Sequence, residues 1–185
     1  MIVVVGSTGV LGGEICGQLV KSGKGVRALV RATSSAEKTD ALKKQGAELV
    51  TGDLKDPGSL SAACSGVDTV ISTASSTMSR QEGDSIETVD RKGQLSLIEA
   101  AKKAGVGRFI FVSFPHGEEP SCPLEAAKME VEGILASSGM TYTIIYANVF
   151  MEVWLSPALG FDYANAKATI YGDGKAGIAW VYNRA

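Results

Sequence analysis

The chain has 185 residues, 45% of them hydrophobic, and a formal net charge of −2 at pH 7. This length is enough for one domain with a substantial core. The charge provides no broad basic face for nucleic acid or anionic lipid, and no apolar run approaches the roughly 18 residues of a membrane span. Three widely spaced cysteines and a single histidine predict reduced thiols in a cytoplasmic protein without a disulfide framework or a metal site.

Strands and helices alternate along the chain. Ile2 to Val5 is an unbroken β-branched run, typical of a fully buried strand. Similar patterns predict strands at 26–30, 47–51, 67–72, 109–112 and 142–146, and a seventh at 169–171. Helices are predicted to follow Gly9, Ser35, Asp56, Ser85 and Cys122. The alternation predicts an α/β fold: a Rossmann-like, doubly wound, mostly parallel sheet of six to seven strands with helices on both faces, in one domain spanning residues 1–185.

The first strand runs directly into a turn with glycines at Gly6, Gly9 and Gly12. A glycine-rich turn between strand and helix lets main-chain N–H groups approach the pyrophosphate of a dinucleotide, and the helix dipole favours the anion. A plain tight turn is the alternative. A triphosphate loop is excluded here, because no Gly-Lys-Ser/Thr follows. The predicted cofactor-binding residues of the turn are Gly6, Ser7, Thr8, Gly9, Val10 and Leu11.

The second strand ends at Val30, and Arg31 follows it. In dinucleotide folds an acid at this point bonds the 2′-hydroxyl of NAD, whereas an arginine accommodates the 2′-phosphate of NADP. The nearest acid, Glu37, lies in the next helix. We therefore predict NADP in preference to NAD, with Arg31 on the 2′-phosphate; a merely solvated arginine is the alternative. Arg27, on the same strand, is predicted to be structural or salt-bridging.

Together these residues resemble the atypical short-chain dehydrogenases/reductases, the NmrA-like and isoflavone-reductase-like group. The matching stretches are GSTGVLGG, VRALVR, GDLKDPGSL, AAKKAGVGRFIFVSF, SGMTYTII and FMEVWLSPALGFD, which span nearly the whole chain. The resemblance implies an NADP-binding Rossmann domain in which Asp53 and Leu54 border the adenine and Thr73 and Ala74 line the cofactor. It also implies a C-terminal substrate lobe, here truncated or absent, of which residues 150–185 are the beginning.

Ser113 and Lys128 match the serine and lysine of typical members, but Leu124 stands at the position of the tyrosine. The resemblance therefore excludes the ordinary tyrosine-acid mechanism. Lys128 falls within an apolar helical stripe, so it either reaches the rim or meets a buried anion or hydroxyl. Beside a dinucleotide, we expect it to bond the nicotinamide ribose and to protonate a developing oxygen. Ser113 is either a donor there or a polar strand end, and Tyr146 is expected near the nicotinamide.

His116 follows the fifth strand, and its ordinary pKa near neutrality fits a general acid. An exposed loop histidine is the simpler interpretation. The first functional hypothesis is an NADPH-dependent reductase that transfers hydride to a small carbonyl, quinone or conjugated substrate. The alternative is an NADP(H)-binding redox sensor that reports to a protein partner. A sugar-nucleotide epimerase is a weaker third hypothesis, because such relatives usually need the missing tyrosine.

Overall fold

The computed structural model describes residues 1–79, 81–170, 172–175 and 177–182, and the chain divides into two compact units. The first unit comprises Met1–Ile145 and the second Tyr146–Ala185. The first carries a central sheet flanked by helices, and the second is built from short strands and turns.

A six-stranded sheet is the frame of the larger unit. Its strands are β1 (Ile2–Val5), β2 (Val26–Val30), β3 (Glu48–Thr51), β4 (Thr69–Ser72), β5 (Arg108–Ser113) and β6 (Thr141–Tyr146), in the spatial order β3-β2-β1-β4-β5-β6. The pairs β3–β2, β2–β1, β1–β4 and β4–β5 are parallel. This is the order of a doubly wound sheet whose topological switch point lies between β1 and β4. The predicted α/β architecture is confirmed, with six strands in this sheet.

The connecting helices are α1 (Val10–Lys21), α2 (Ala36–Gln45), α3 (Pro57–Cys64), α4 (Gln94–Lys103) and α5 (Pro123–Ala136). Side chains cap several of them as the sequence predicts: Ser35 accepts from the main chain of α2, and Asp56 from that of α3. Ser85 caps its helix too, but the first eight residues, Ile86–Gly93, form a π-helix that runs into α4. The sequence predicts a helix here but not its π form. π-Helical turns are frequent at functional sites.

The side chains of β1 are buried on both faces of the sheet, where helices cover them. Val3 and Val5 belong to one buried cluster, and Val4 belongs to the other. The first cluster includes Leu60, Leu97 and Leu135 of α3, α4 and α5, and the second includes Cys16 and Leu42 of α1 and α2. A strand buried on both faces needs apolar residues without alternation, which is the pattern at residues 2–5.

The three cysteines lie within the described residues and are free thiols. Burial raises the pKa of both Cys16 and Cys64 to about 11, so these two behave as small apolar core residues. Among the described residues, no group of three His, Cys, Asp or Glu side chains is arranged to hold a metal ion. In the same part of the chain no helix combines the length and the apolar character needed to cross a bilayer.

The second unit consists of short elements. β7 (Val149–Phe150) pairs in parallel with β10 (Trp180–Val181), and β8 (Phe161–Asp162) pairs antiparallel with β9 (Lys167–Ala168). A short helix, α6 (Met151–Trp154), and a 3₁₀ turn at Pro157–Leu159 lie between β7 and β8.

The seventh strand predicted at 169–171 is wrong for Thr169 and Ile170, and Tyr171 lies outside the described residues. The strand in this region is β9, whose partner β8 has only two residues. The ladder therefore ends at Ala168. Thr169 and Ile170 have high strand propensity because they are β-branched, but they lie beyond the end of the strand.

Replacing Gly12 tests how closely α1 approaches the preceding turn. A Cβ on Gly12 would lie 2.2 Å from the carbonyl oxygen of Gly6. Since main chain cannot move aside cheaply, we expect Gly12→Ala to lower the free energy of unfolding by about 1–3 kcal/mol. Gly133→Ala is the matched control, because a Cβ there would have nothing within 4 Å; it should raise stability by about 0.5–1 kcal/mol. Urea unfolding followed by circular dichroism measures both, and equal stabilities would contradict the close approach.

Candidate functional site

The turn after β1 lies against the residues that follow β4. A Cβ on Gly6 would lie 2.6 Å from Thr73 Oγ1 and 2.8 Å from the main-chain nitrogen of Ala74, and Gly6 has a φ of +86°. The N–H and hydroxyl of Thr73 both donate to the Val5 carbonyl, at 2.9 and 3.2 Å. The sheet thus brings together Gly6, Thr73 and Ala74 at its switch point, where ligands bind in folds of this type.

The first turn of α1 presents unused hydrogen-bond donors. Among the residues that the structure describes, the N–H groups of Val10, Leu11 and Gly12 have no acceptor, whereas the N–H of Gly13 donates to the Gly9 carbonyl at 2.9 Å. Gly9 caps the helix without a side-chain hydrogen bond. N–H groups left open at a helix N-terminus, together with the dipole, favour an anion. The turn therefore fits a phosphate group.

Two predicted residues, Ser7 and Leu54, point into the protein. Ser7 Oγ donates to the Leu29 carbonyl at 2.6 Å, which ties the turn to β2. Leu54 packs in the core. Their main chains are the parts that remain for a ligand. Asp53, beside Leu54, accepts from the N–H of Lys55 at 2.8 Å and pairs with Lys55 Nζ at 3.2 Å.

Arg31 follows β2 and pairs with a buried carboxylate, so it is not merely solvated. Arg31 Nη1 lies 2.6 Å from Asp84 Oδ2, while Lys55 Nζ contacts Asp84 Oδ1 and Ser79 Oγ donates to Asp84 Oδ2. Burial opposes ionisation of Asp84, but the hydrogen bonds from Lys55, Ser79 and Arg31 outweigh it and lower the pKa of Asp84 to about 2. Asp84 was not predicted from sequence; its only signal is its place in the irregular stretch after β4.

The structure confirms the prediction for Arg27 and leaves those for Thr8 and Tyr146 untested. Arg27 is salt-bridging as expected, with Nε 2.8 Å from Glu48 Oε1 on the neighbouring strand. Thr8 is half-buried beside Gly9. Tyr146 ends β6, opens the second unit and is 49% exposed. Contact of Thr8 or Tyr146 with a coenzyme stays a prediction.

Lys128, on α5, is buried and is therefore not at the rim. Its Nζ donates to the Val112 carbonyl at 3.2 Å and lies 4.8 Å from the centre of the Phe111 ring. Burial lowers the pKa of Lys128, and the negative charges of Asp90 and Glu132 oppose that shift. A lysine with a lowered pKa is a better proton donor than an exposed one.

Ser113 and His116 meet at Glu132, which was not predicted from sequence. Ser113 Oγ donates to Glu132 Oε1 at 2.6 Å, and His116 Nε2 lies 3.1 Å from Glu132 Oε2. His116 Nδ1 lies 2.8 Å from the Gly117 carbonyl, so both ring nitrogens face oxygen acceptors, as in an imidazolium. The bonds to Gly117 and Glu132 raise the pKa of His116. The exposed-loop interpretation is wrong, because only 14% of this side chain is exposed.

The π-helix carries Asp90, a further buried acid that the sequence pattern did not single out. Asp90 Oδ2 accepts from the N–H and the hydroxyl of Ser76, at 2.9 and 2.5 Å. Asp90 Oδ1 is buried and has no hydrogen-bond partner in the described part of the chain. The π-helix thus anchors the loop after β4 and leaves one carboxylate oxygen open to a donor.

Comparisons with known proteins agree with this architecture. The model of the NmrA-like family matches residues 1–180. The chain is 40% identical over 144 residues to the photosystem II assembly factor Ycf39 of Cyanophora paradoxa, covering 77% of this chain and 43% of that protein. It is 31% identical over 183 residues to the NAD(P)H azoreductase of Xenophilus azovorans, covering 98% and 58%. The Escherichia coli NADPH-dependent quinone oxidoreductase QOR2 in complex with NADPH matches with a TM-score of 0.69 and 29% identity, covering 85% of this chain and 52% of that one.

The chain therefore spans about half the length of the relatives it matches. Residues 1–180, which the family model matches, contain the sheet, the glycine turn and the buried lysine and carboxylates described above.

The single histidine of the chain allows its pKa to be measured directly by NMR. We expect a midpoint above the ordinary 6.5, because Gly117 and Glu132 favour the imidazolium. Such a raised pKa stabilises the fold below the unfolded value, and this contribution disappears as pH rises through the folded value.

Glu132→Gln should lower the His116 midpoint, because it removes the charge that faces Nε2. Glu130→Gln, a carboxylate on the same helix that pairs with Arg91, is the control and should leave the midpoint unchanged. A wild-type midpoint at or below 6.5, or one that Glu132→Gln does not move, would contradict the assigned contact.

Proposed function

The chain belongs to the NmrA-like family, and from that premise we propose that it binds NADP(H) and acts as an NADPH-dependent reductase of a small carbonyl, quinone or conjugated substrate. The observation that carries the proposal is the turn after β1, whose unused N–H groups and close approach to Thr73 fit linked phosphates. Similarity to an NAD(P)H azoreductase and to an NADPH-dependent quinone oxidoreductase supports the reductase chemistry.

Residues at the carboxyl ends of the strands would hold the coenzyme. The main chain from Gly6 to Leu11 would take the pyrophosphate, and Arg31 would take the 2′-phosphate. Asp53 and the main chain of Leu54 would border the adenine, and Thr73 with Ala74 would line the part of the coenzyme that follows β4. The bound nicotinamide would supply the hydride.

Lys128 and Ser113 are the proposed catalytic residues. Lys128 would bond the nicotinamide ribose and give a proton to the oxygen on which negative charge develops. Ser113 would donate its single hydroxyl proton to the same oxygen, and it would have to break its present hydrogen bond to Glu132 Oε1 to do so. Leu124 lies one helical turn before Lys128 and supplies no phenol, so the proton must come from elsewhere.

Replacing Lys128 by methionine tests its role, because methionine fills a buried site without a charge. With NADPH and a panel of small quinones and enals, we expect Lys128→Met to lower kcat about 10²-fold or more while the fold is retained. NADPH absorbance measures the rate, and thermal unfolding checks the fold. Lys102→Met, which changes an exposed lysine of α4, is the control and should keep the wild-type rate. Full activity in a folded Lys128→Met variant would exclude this residue as the proton donor.

A second function is an NADP(H)-binding regulatory or assembly protein that works through a protein partner. Two observations favour it: the tyrosine position holds Leu124, and identity to the assembly factor is 40%, against 31% to the azoreductase. The same glycine turn would then hold the coenzyme as a signal of redox state, with no substrate reduced.

Binding and turnover measured on the same preparation separate the two functions. Calorimetry with NADPH should show uptake in either case, whereas oxidation of NADPH by the quinone and enal panel is expected of the reductase alone. Binding without turnover would favour the regulatory function. A folded chain that takes up neither NADPH nor NADH would contradict both.

A further inference from the structure

A buried carboxylate joins the two cations at the ends of β2 and β3. Asp84 has 3% of its side chain exposed, against 32% for Arg31 and 27% for Lys55. Arg31 Nη1 approaches one carboxylate oxygen at 2.6 Å, and Lys55 Nζ contacts the other. The loop that carries Asp84 is held at a second point, where Thr33 Oγ1 donates to Gln81 Oε1 at 2.8 Å.

The place of this cluster matters for coenzyme choice. In dinucleotide folds the end of β2 meets the adenosine ribose, where an acid accepts from the 2′-hydroxyl of NAD and an arginine binds the 2′-phosphate of NADP. This chain puts both groups there: Arg31 directly after β2, and Asp84 from the loop after β4. The two are already bonded to each other.

We propose that Asp84 competes with the 2′-phosphate of NADP(H) for Arg31 and Lys55, and so determines how strongly the chain distinguishes NADP from NAD. This inference rests on the coenzyme site proposed above. With Asp84 in place, its single negative charge is shared by the two cations, and Lys55 also pairs with Asp53 at 3.2 Å. A 2′-phosphate must displace the Asp84 carboxylate to reach Arg31 and Lys55. A 2′-hydroxyl needs no displacement, because it can donate to the same carboxylate.

The competition is between two oxyanions for one pair of cations. A phosphate monoester carries about −1.5 to −2 charges at pH 7, so it attracts Arg31 and Lys55 more strongly than one carboxylate does. Its advantage is reduced by the cost of leaving Asp84, which is buried and ionised at neutral pH, without its two charged partners. Asp84 therefore lowers the affinity for NADP and leaves the affinity for NAD intact.

Two nucleotide fragments isolate the effect without any turnover. Adenosine 2′,5′-bisphosphate and 5′-AMP differ only in the 2′-phosphate, and calorimetry gives the dissociation constant of each. We expect Asp84→Asn to tighten binding of the bisphosphate about tenfold or more and to change binding of AMP by less than about threefold, as for loss of one competing charge-assisted hydrogen bond. Glu87→Gln, a carboxylate paired with Arg91 and Lys92, is the control and should change neither.

The unmodified chain provides a second test, which holds even if Asp84→Asn does not fold. It should bind the bisphosphate no more than about tenfold tighter than AMP, because Asp84 offsets the charge-assisted bonds to the phosphate. A preference above about tenfold, or an Asp84→Asn variant that binds the bisphosphate no better than the wild type, would overturn the inference while leaving the coenzyme site standing. Failure of AMP, NADPH and NADH alike to bind would instead remove the proposed function and this inference with it.

Discussion

The glycine turn after β1 depends on the close approach of Gly12 to the carbonyl of Gly6. No side chain fits at Gly12, so α1 begins directly against the turn that ends β1. The positive φ of Gly6 then turns the chain close under Thr73, at the end of β4. These two constraints place the N-terminus of α1 at the switch point of the sheet. The open N–H groups follow from that placement, and the phosphate contact proposed for them depends on it.

Charged side chains are concentrated among the loops and helices that follow the strands. Asp84, Asp90, Lys128 and Glu132 are all buried, and hydrogen bonds or ion pairs hold each of them. Burying a charge is costly unless it is partnered, and apolar residues of similar size often replace such groups without loss of stability. Stability therefore gives little reason for burying these four side chains. Buried charged groups held by specific partners are frequent at sites that bind or transform a ligand.

Local sequence patterns predict the strands and helices well. They do not predict contacts between residues that are distant in sequence. β2 was predicted at 26–30 and is found there, because its limits follow from neighbouring breakers. Lys128 was recognised because its own helix marks it as a charge within an apolar stripe. Glu132 and Asp84 were not, because their partners lie 19 and 53 residues away and are brought close only by strand order. The π form of residues Ile86–Gly93 was not predicted either, because their apolar spacing is that of an ordinary helix.

The chemistry of the proposed reductase depends on the proton-bearing side chains rather than on the groups that would hold the phosphates. Burial lowers the pKa of Lys128, whereas hydrogen bonds to Gly117 and Glu132 raise that of His116. Proton transfer is most effective when the donor pKa lies near the working pH. Hydride addition to a carbonyl leaves an alkoxide that needs such a proton, whereas an acceptor that is already cationic needs none. With Leu124 in place of a phenol, the proposed reduction of a carbonyl would rely on Lys128 for that proton, whereas hydride transfer to a cation would need no proton donor.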